Sequence, residues 1–319
     1  MAQPRVAFLG TPSIAVMPMS ALAELSHLCD IQAVFCNPDR PRGRGHLVEP
    51  PPVKAAAIKL GLDVLQPESW KDEKIWDIWT SLNIDLAIVV AYGHILPSWM
   101  LDSCKLGAWN LHFSLLPRWR GAAPVNHAIL EGDTETGVSL MKIVPSLDAG
   151  PILAQCRRPI TMESIAGTLL DELAHDAATL LKTHLPVILN GKTSLMEQDE
   201  SMVTMAPKLS KVMARLNLDM SAVELHRQIR ALQPWPGAEL RIGEIIIKVM
   251  EIGNIYPTNA SSGLLIWDKN VVRLSAGGGA EIELLAIQRP GKPVQPARQV
   301  MQYWGKEGSI APETWHGCK

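Results

Sequence analysis

No two cysteines stand at metal-ligand or redox spacing in this chain. The five, Cys29, Cys36, Cys104, Cys156 and Cys318, are scattered and odd in number, which argues against a disulfide framework or a zinc site and leaves a reducing cytoplasm as the expected setting, with no metal. No apolar run approaches the ~20 residues of a membrane span, so no membrane partner is expected. Met1-Ala2-Gln3-Pro4-Arg5 passes at once into the strand-like Val6-Ala7-Phe8-Leu9, leaving no room for the charged, apolar and cleavage regions of a signal peptide. A dinucleotide fingerprint is missing too. Gly10-Thr11-Pro12-Ser13-Ile14-Ala15 lacks the second and third glycines that let backbone approach a pyrophosphate, which sets nicotinamide-cofactor binding aside. Phenylalanine and tyrosine are scarce, three of each against ten tryptophans, and most of those tryptophans read as packing residues rather than base-stacking platforms.

Charge of one sign is also short, the net value being −2, but it divides unevenly. Lys208 to Lys319 carries 14 Lys/Arg against 10 Asp/Glu, and the remainder 16 against 22. A modestly basic carboxyl-terminal part suits a polyanion partner, whose phosphates are contacted by Lys and Arg.

The 319 residues exceed the usual ~100–200 of one domain, so two are expected. In the first half, short apolar runs alternate with helical patterns. The candidate strands are Arg5–Leu9, Ile31–Cys36, Leu86–Val90, Ala108–His112 and Val138–Val144; the candidate helices lie near Ile14–Leu25, Val53–Leu60, Lys71–Ser81 and Pro124–Glu131. Leu86-Ala87-Ile88-Val89-Val90 lacks polar alternation and fits a sheet covered on both faces. The fold class expected is α/β, an open, mostly parallel, Rossmann-like sheet with helices on both faces. Ligands of such sheets bind at the carboxyl ends of the strands, where Gly10-Thr11-Pro12, Asn37-Pro38, Tyr92-Gly93, His112 and Asp148 are all expected. A Leu/Ala-rich helix over Ser164–Leu189 closes the domain, and Asn190-Gly191-Lys192 caps it. The boundaries expected are therefore 1–189 for a first domain, 190–207 for a linker and 208–319 for a second domain. After a short helix near Ser221–Leu232, strands at Glu239–Ile242, Ile245–Glu251, Gly263–Asp268, Val271–Ala276 and Glu281–Gln288 suggest a small barrel.

The chemistry concentrates in Asn110-Leu111-His112-Phe113-Ser114-Leu115-Leu116-Pro117-Arg118-Trp119-Arg120-Gly121. On a strand, Asn110 and His112 project from the same face. An amide can hydrogen-bond a developing oxyanion, worth typically ~10²–10³ in rate, and a histidine of near-neutral pKa can carry protons. In Ser146-Leu147-Asp148-Ala149-Gly150-Pro151 an acidic residue follows an apolar run and precedes a Gly-Pro turn. Its carboxylate can orient His112 and raise its basicity. Spacing alone also allows Asn110 as a strand-end cap, His112 as a satisfied half-buried histidine and Asp148 as a turn former.

Taken together, Asn110, His112, Ser114–Pro117, Arg118-Trp119-Arg120-Gly121-Ala122-Ala123-Pro124 and Asp148 resemble the active-site signature of the 10-formyltetrahydrofolate-dependent formyltransferases. The resemblance runs nearly end to end. Phe8-Leu9-Gly10-Thr11-Pro12 is similar to the family's first strand and turn, Asn37-Pro38-Asp39-Arg40-Pro41-Arg42-Gly43-Arg44-Gly45 to its basic loop, and Ala91-Tyr92-Gly93-His94-Ile95-Leu96-Pro97 to the segment lining its folate pocket. Lys208-Leu209-Ser210-Lys211 and Pro234-Trp235-Pro236-Gly237 resemble signatures of the branch that acts on methionyl-tRNA.

The resemblance implies formyl transfer from 10-formyltetrahydrofolate to the α-amino group of methionyl initiator tRNA. It implies Asn110, His112 and Asp148 as the catalytic set, without deciding which of the latter two is the general base. It places the folate against Val90, Ala91, Tyr92 and Gly93 and against Ser114, Leu115, Leu116 and Pro117. It assigns tRNA contacts to Arg40, Arg42, Arg44, Lys208 and Lys211 and an OB-like form to the carboxyl-terminal barrel; a monomer is expected. The basic loop also reads as a solvated surface loop, and the barrel as a packing module. The chain departs from the family pattern at Val212-Met213, where an acidic pair is usual, at Leu218, where Trp is common, and at Asn126-His127; these positions concern RNA contacts rather than formyl chemistry. An amino-sugar nucleotide or glycinamide ribonucleotide acceptor, donor hydrolysis by water, and RNA binding without catalysis are the rival functions.

Overall fold

A computed structural model describes residues 2–42 and 47–313 of the chain. Its contacts divide it into two compact units, one made of Met1–Pro124, Glu135–Pro159 and Leu169–Ala206, the other of Val125–Thr134, Ile160–Thr168 and Pro207–Lys319.

The first unit is built on a seven-stranded sheet. From edge to edge its strands are Ile152–Pro159, Glu135–Lys142, Ala108–His112, Leu86–Val90, Arg5–Gly10, Asp30–Phe35 and Val64–Leu65. The five from Ala108–His112 to Val64–Leu65 run parallel; Glu135–Lys142 is antiparallel to both of its neighbours. All five residues of Leu86–Val90 are buried, as expected of a central strand with helices on both faces. One face packs on Phe35, Trp70, Trp79, Tyr92 and Met100, with ring centroids of Phe35 and Trp70 5.4 Å apart and of Trp70 and Trp79 5.7 Å apart. Such pairs add about 0.5–1.5 kcal/mol beyond their burial. The helix Glu73–Leu82 begins where the Asp72 side chain accepts from Lys74 N and ends at Asn83 in the left-handed conformation, the two ends its sequence encodes.

Two strands of this sheet lie outside the sequence expectation. Val64–Leu65 is too short to show periodicity. Ile152–Pro159 carries Gln155, Arg157 and Arg158 and is only half-buried along most of its length, the composition of a sheet edge. Its antiparallel pairing follows from the short return through Ile143–Pro151, too brief for a parallel crossover. Residues 190–206 fall within the first unit. Met196 bridges Ile152 in antiparallel fashion and Met205–Ala206 pairs in parallel with Arg120–Gly121.

In the second unit, the helix Ala222–Ala231 opens on a capping box in which Ser221 and Glu224 satisfy each other's backbone N–H. The sheet that follows is antiparallel, in the order Ala238–Ile242, Ile245–Pro257, Ala280–Gln288, Val272–Ala276, Leu265–Trp267, Gly308–Ile310, with Val294–Pro296 also on Ala280–Gln288. The expected strand Ile245–Glu251 continues to Pro257, and register shifts between Val249 and Ile255 let it bend. The sheet curls around Leu225, Ile229, Leu240, Ile247, Val249, Leu274, Ile282 and Met301. Its two edges meet at one bridge, where Glu313 N donates to Arg241 O at 2.7 Å. This is the OB-like barrel.

Candidate active site

The parallel strands bring Gly10-Thr11-Pro12, Asn37-Pro38, Ala91-Tyr92-Gly93 and Phe113-Ser114 to one rim. Asp148 reaches His112 by a different route from the one its sequence suggests. Glu135–Lys142 is antiparallel, so Lys142 lies opposite Trp109 and Ser139 opposite His112. The strand therefore ends away from that rim, and the loop 143–151 folds back to return Asp148.

His112 closes the strand Ala108–His112 and is 6% exposed. Its Nε2 lies 2.9 Å from Trp119 O, while Nδ1 lies 3.7 Å from Asp148 Oδ2. A carbonyl oxygen only accepts, so Nε2 carries the proton and neutral His112 keeps its lone pair on Nδ1. At 3.7 Å Asp148 makes no direct hydrogen bond to the ring; the Trp119 carbonyl fixes the tautomer, and the carboxylate contributes charge. Asn110, half-buried, lies in register with Val89 and Met141 and on the same face of its strand as His112.

Asp148 is a non-glycine residue at φ +48°. Its Oδ2 accepts from Gly121 N at 2.9 Å, and its carbonyl accepts from Gln198 Nε2 at 2.8 Å. Two glycines make this arrangement possible. A Cβ on Gly150 would stand 1.7 Å from Lys142 O, and one on Gly121, at φ +122°, 2.6 Å from Ala206 O. Trp119, at φ +66°, donates its N–H to Thr204 Oγ1 at 2.9 Å.

Of the expected folate segments, Val90 and Tyr92 are buried, and Ala91 and Gly93 are exposed with left-handed backbone at φ +47° and +83°. Burial pushes the Tyr92 phenol well above its ordinary pKa. Asn37 Nδ2 donates to Tyr92 O at 3.4 Å and His94 Nε2 donates to Asn37 Oδ1 at 2.5 Å; burial, and then the charge of Arg40, lower the His94 pKa. Ser114 is fully buried with its hydroxyl committed to Arg118 O at 2.7 Å, so its side chain is not free for a ligand. Ser139 Oγ donates to Ser114 O at 2.6 Å and accepts from Leu116 N at 3.1 Å, while Gln155 Nε2 donates to Leu116 O at 3.0 Å. These bonds fix Ser114 to Leu116; Leu116 is buried, and Leu115 and Pro117 are half-buried.

Among the basic residues, Arg40 is exposed and pairs with Glu49 in a short ladder of Arg40–Arg42 with Leu47–Glu49; Arg44 lies outside the described residues. The ladder is rooted by Asp39, whose carboxylate takes Lys54 Nζ at 2.8 Å and Gln66 Nε2 at 2.8 Å, which hold its pKa below the usual range. Lys208 and Lys211 belong to the second unit and are both exposed.

Sequence patterning missed Thr204, Gln198, Ser139, Gln155 and the Trp119 carbonyl as parts of this site. The one available signal was Arg120, an arginine between Trp119 and Gly121; its burial at 6% exposure demands partners.

Residues 4–185 match the family described as Formyl transferase, and residues 208–303 the one described as Formyl transferase, C-terminal domain. The chain is 39% identical over 303 residues to a methionyl-tRNA formyltransferase of Listeria innocua, covering 95% of this chain and 96% of that protein. Two solved structures share the fold, each at 18% identity and TM-score 0.66. A sugar 3N-formyl transferase in the presence of dTDP and 5-N-formyl-THF covers 92% of this chain and 100% of its own. An N-formyltransferase from Helicobacter canadensis, in complex with folinic acid and dTDP-3-aminofucose, covers 90% and 100%. The first family match alone spans more than half of the sequence, and the chain belongs to the formyl transferase family.

Proposed function

We propose that this chain transfers a formyl group from 10-formyltetrahydrofolate to the α-amino group of methionyl initiator tRNA. What supports the reading is the 39% identity to a methionyl-tRNA formyltransferase over nearly the whole chain, together with a buried His112 whose Nδ1 faces the Asp148 carboxylate.

In this reading the neutral amine attacks the formyl carbon, the carbonyl becomes an oxyanion, and the bond from the formyl carbon to folate N10 then breaks. The proton lost by the amine ends on N10. Asn110 donates to the oxyanion. His112 takes the proton at Nδ1 and passes it on, with Asp148 stabilising the imidazolium between the two events. No step uses a metal. Folate lies against Val90–Gly93 and Ser114–Pro117, where exposed left-handed backbone at Ala91 and Gly93 offers main-chain polar groups to a flat, polar-edged ring. The acceptor end of the tRNA is held by Arg40, Arg42 and Arg44, and Lys208 and Lys211 contact it from a tRNA-binding domain over 208–319; the chemistry belongs to 1–189. Arginine can fork onto phosphates or stack on an unpaired base. The chain works as a monomer in the cytoplasm.

The test gives the purified protein 10-formyltetrahydrofolate with methionyl initiator or methionyl elongator tRNA and follows formyl-methionine and tetrahydrofolate separately. Formyl-methionine selective for initiator tRNA is the expected result. Tetrahydrofolate release without formyl-methionine would replace the proposal with a hydrolase, and neither product would replace its acceptor.

A further inference from the structure

Gln198 sits in the polar stretch Glu197–Ser201, whose composition reads as connector, yet its side chain is half-buried at the back of the Asp148 loop. Its Nε2 donates to two carbonyls of that loop, Asp148 O at 2.8 Å and Gly150 O at 2.7 Å. Its Oε1 accepts from Arg120 Nε at 3.0 Å and Nη2 at 2.9 Å. A guanidinium only donates and a carbonyl only accepts, so this set of partners allows one orientation of the amide. Arg120 is itself held by Glu200, with Nη2 2.8 Å from Oε1.

These bonds close a ring. Arg120 is joined through its own peptide to Gly121, whose N–H donates to Asp148 Oδ2. The Asp148 residue is thus gripped twice, at its carboxylate by Gly121 and at its carbonyl by Gln198, and both grips trace to adjacent residues. The ends of the loop are tied by Ile143 N to Ala108 O at 2.7 Å and Lys142 N to Pro151 O at 2.9 Å. Its internal backbone bond, from Ala149 N to Ser146 O, is long at 3.4 Å, while Asp148 holds a left-handed backbone, which aspartate adopts more readily than most residues but less readily than glycine.

We propose that Gln198 is a positioning residue for formyl transfer, one that acts through Asp148 by holding its loop in the left-handed turn that presents the carboxylate to His112 Nδ1. The proposal rests on the assignment of Asp148 to the reaction made above.

Gln198→Glu tests it with little change of volume, since a carboxylate keeps the Arg120 partner and has no hydrogen for the two carbonyls. Gln198→Met, of similar length and without a donor, is measured beside it so that misfolding of one variant does not decide the matter. The variants are expected to show a kcat lowered about 100-fold, the scale of a misplacement of about 1 Å, with KM for both substrates within about twofold. In an Asp148→Asn background the same substitution is expected to cost less than about threefold, because contributions that pass through one residue do not add. Hydrogen exchange of backbone amides in 143–151 is expected to speed up while the central strand Leu86–Val90 stays protected. Wild-type kcat in both variants, or an equal loss in the two backgrounds, overturns the proposal. If the wild-type protein forms no formyl-methionine, the activity reading fails by itself; exchange in 143–151 then judges the grip, and unchanged exchange overturns it.

Discussion

Asp148→Asn isolates charge from shape. The carboxylate accepts from Gly121 N at 2.9 Å, a bond the amide oxygen of asparagine can take over, so the loop keeps its anchor. What is lost is a negative charge 3.7 Å from His112 Nδ1. Two unit charges at that separation interact by about 4 kcal/mol at an effective dielectric constant of about 20. The side chains are 14% and 7% exposed, so water trims the interaction without abolishing it, to about 2–4 kcal/mol. If His112 is an imidazolium at the top of the barrier and neutral at rest, that amount appears in the rate, as a fall of roughly 30- to 1,000-fold in kcat. The assay is steady-state transfer of formyl to methionyl initiator tRNA, with KM measured for each substrate and tetrahydrofolate binding measured at equilibrium. The expected result is a loss confined to kcat, with KM and folate affinity within about threefold of wild type. A variant that turns over within threefold of wild type, or one whose whole loss is in KM, would refute the role given to this charge.

Thr204→Val removes the hydroxyl that accepts from Trp119 N, at a cost of about 0.5–1.5 kcal/mol in stability; because the Trp119 carbonyl holds His112 Nε2, kcat should fall about tenfold as well, and a variant destabilised without loss of kcat would separate the two. In the second unit, burial and then the charge of Arg230 lower the His226 pKa to about 4. The unfolded histidine titrates near 6.5, so the unfolded chain binds the extra proton first. The stability tied to neutral His226 is complete above about pH 6.5 and is lost on acidification to about pH 4, a change of order 3 kcal/mol. Denaturant unfolding across that window should show the slope, and His226→Asn, whose amide oxygen can take the Arg230 Nε donor that Nδ1 now accepts at 3.0 Å, should flatten it.

The parallel part of the sheet was legible because its strands are apolar runs with no polar alternation, and the helix Pro124–Glu131 has the bounds its pattern suggests. Asn110 and His112 were legible for the same reason, since a period of two needs only the strand to be placed correctly. The antiparallel edge was not legible, since Ile152–Pro159 mixes Gln, Cys and Arg as an edge strand does and carries little periodic signal. Segment 190–207 was hidden by its composition. Glu197-Gln198-Asp199-Glu200-Ser201 reads as a solvated connector, and four of its five residues are exposed. Its grip on the site lies in the Gln198 amide and, further on, the Thr204 hydroxyl, each reaching partners some 50–85 residues away in sequence, a separation no local pattern encodes. The Trp119 carbonyl could not be found from residue types at all, because every residue has one.

His112 is held by the carbonyl of Trp119 and Asp148 by the amide of Gly121, so the two groups that must face each other are fixed by one three-residue stretch of main chain. The stretch is turned at both ends, with Trp119 at φ +66° and Gly121 at φ +122°, and it is registered against Met205–Ala206 by a parallel ladder, with Arg120 N donating to Thr204 O at 2.9 Å and Ala122 N to Ala206 O at 2.8 Å. A shift of this ladder would move the support of the imidazole and the anchor of the carboxylate together, so their mutual distance is less sensitive to it than either is to the rest of the rim. A side chain at 121 breaks that common mode, because its Cβ would meet Ala206 O at 2.6 Å and push the amide off the carboxylate while the carbonyl at 119 stays in place.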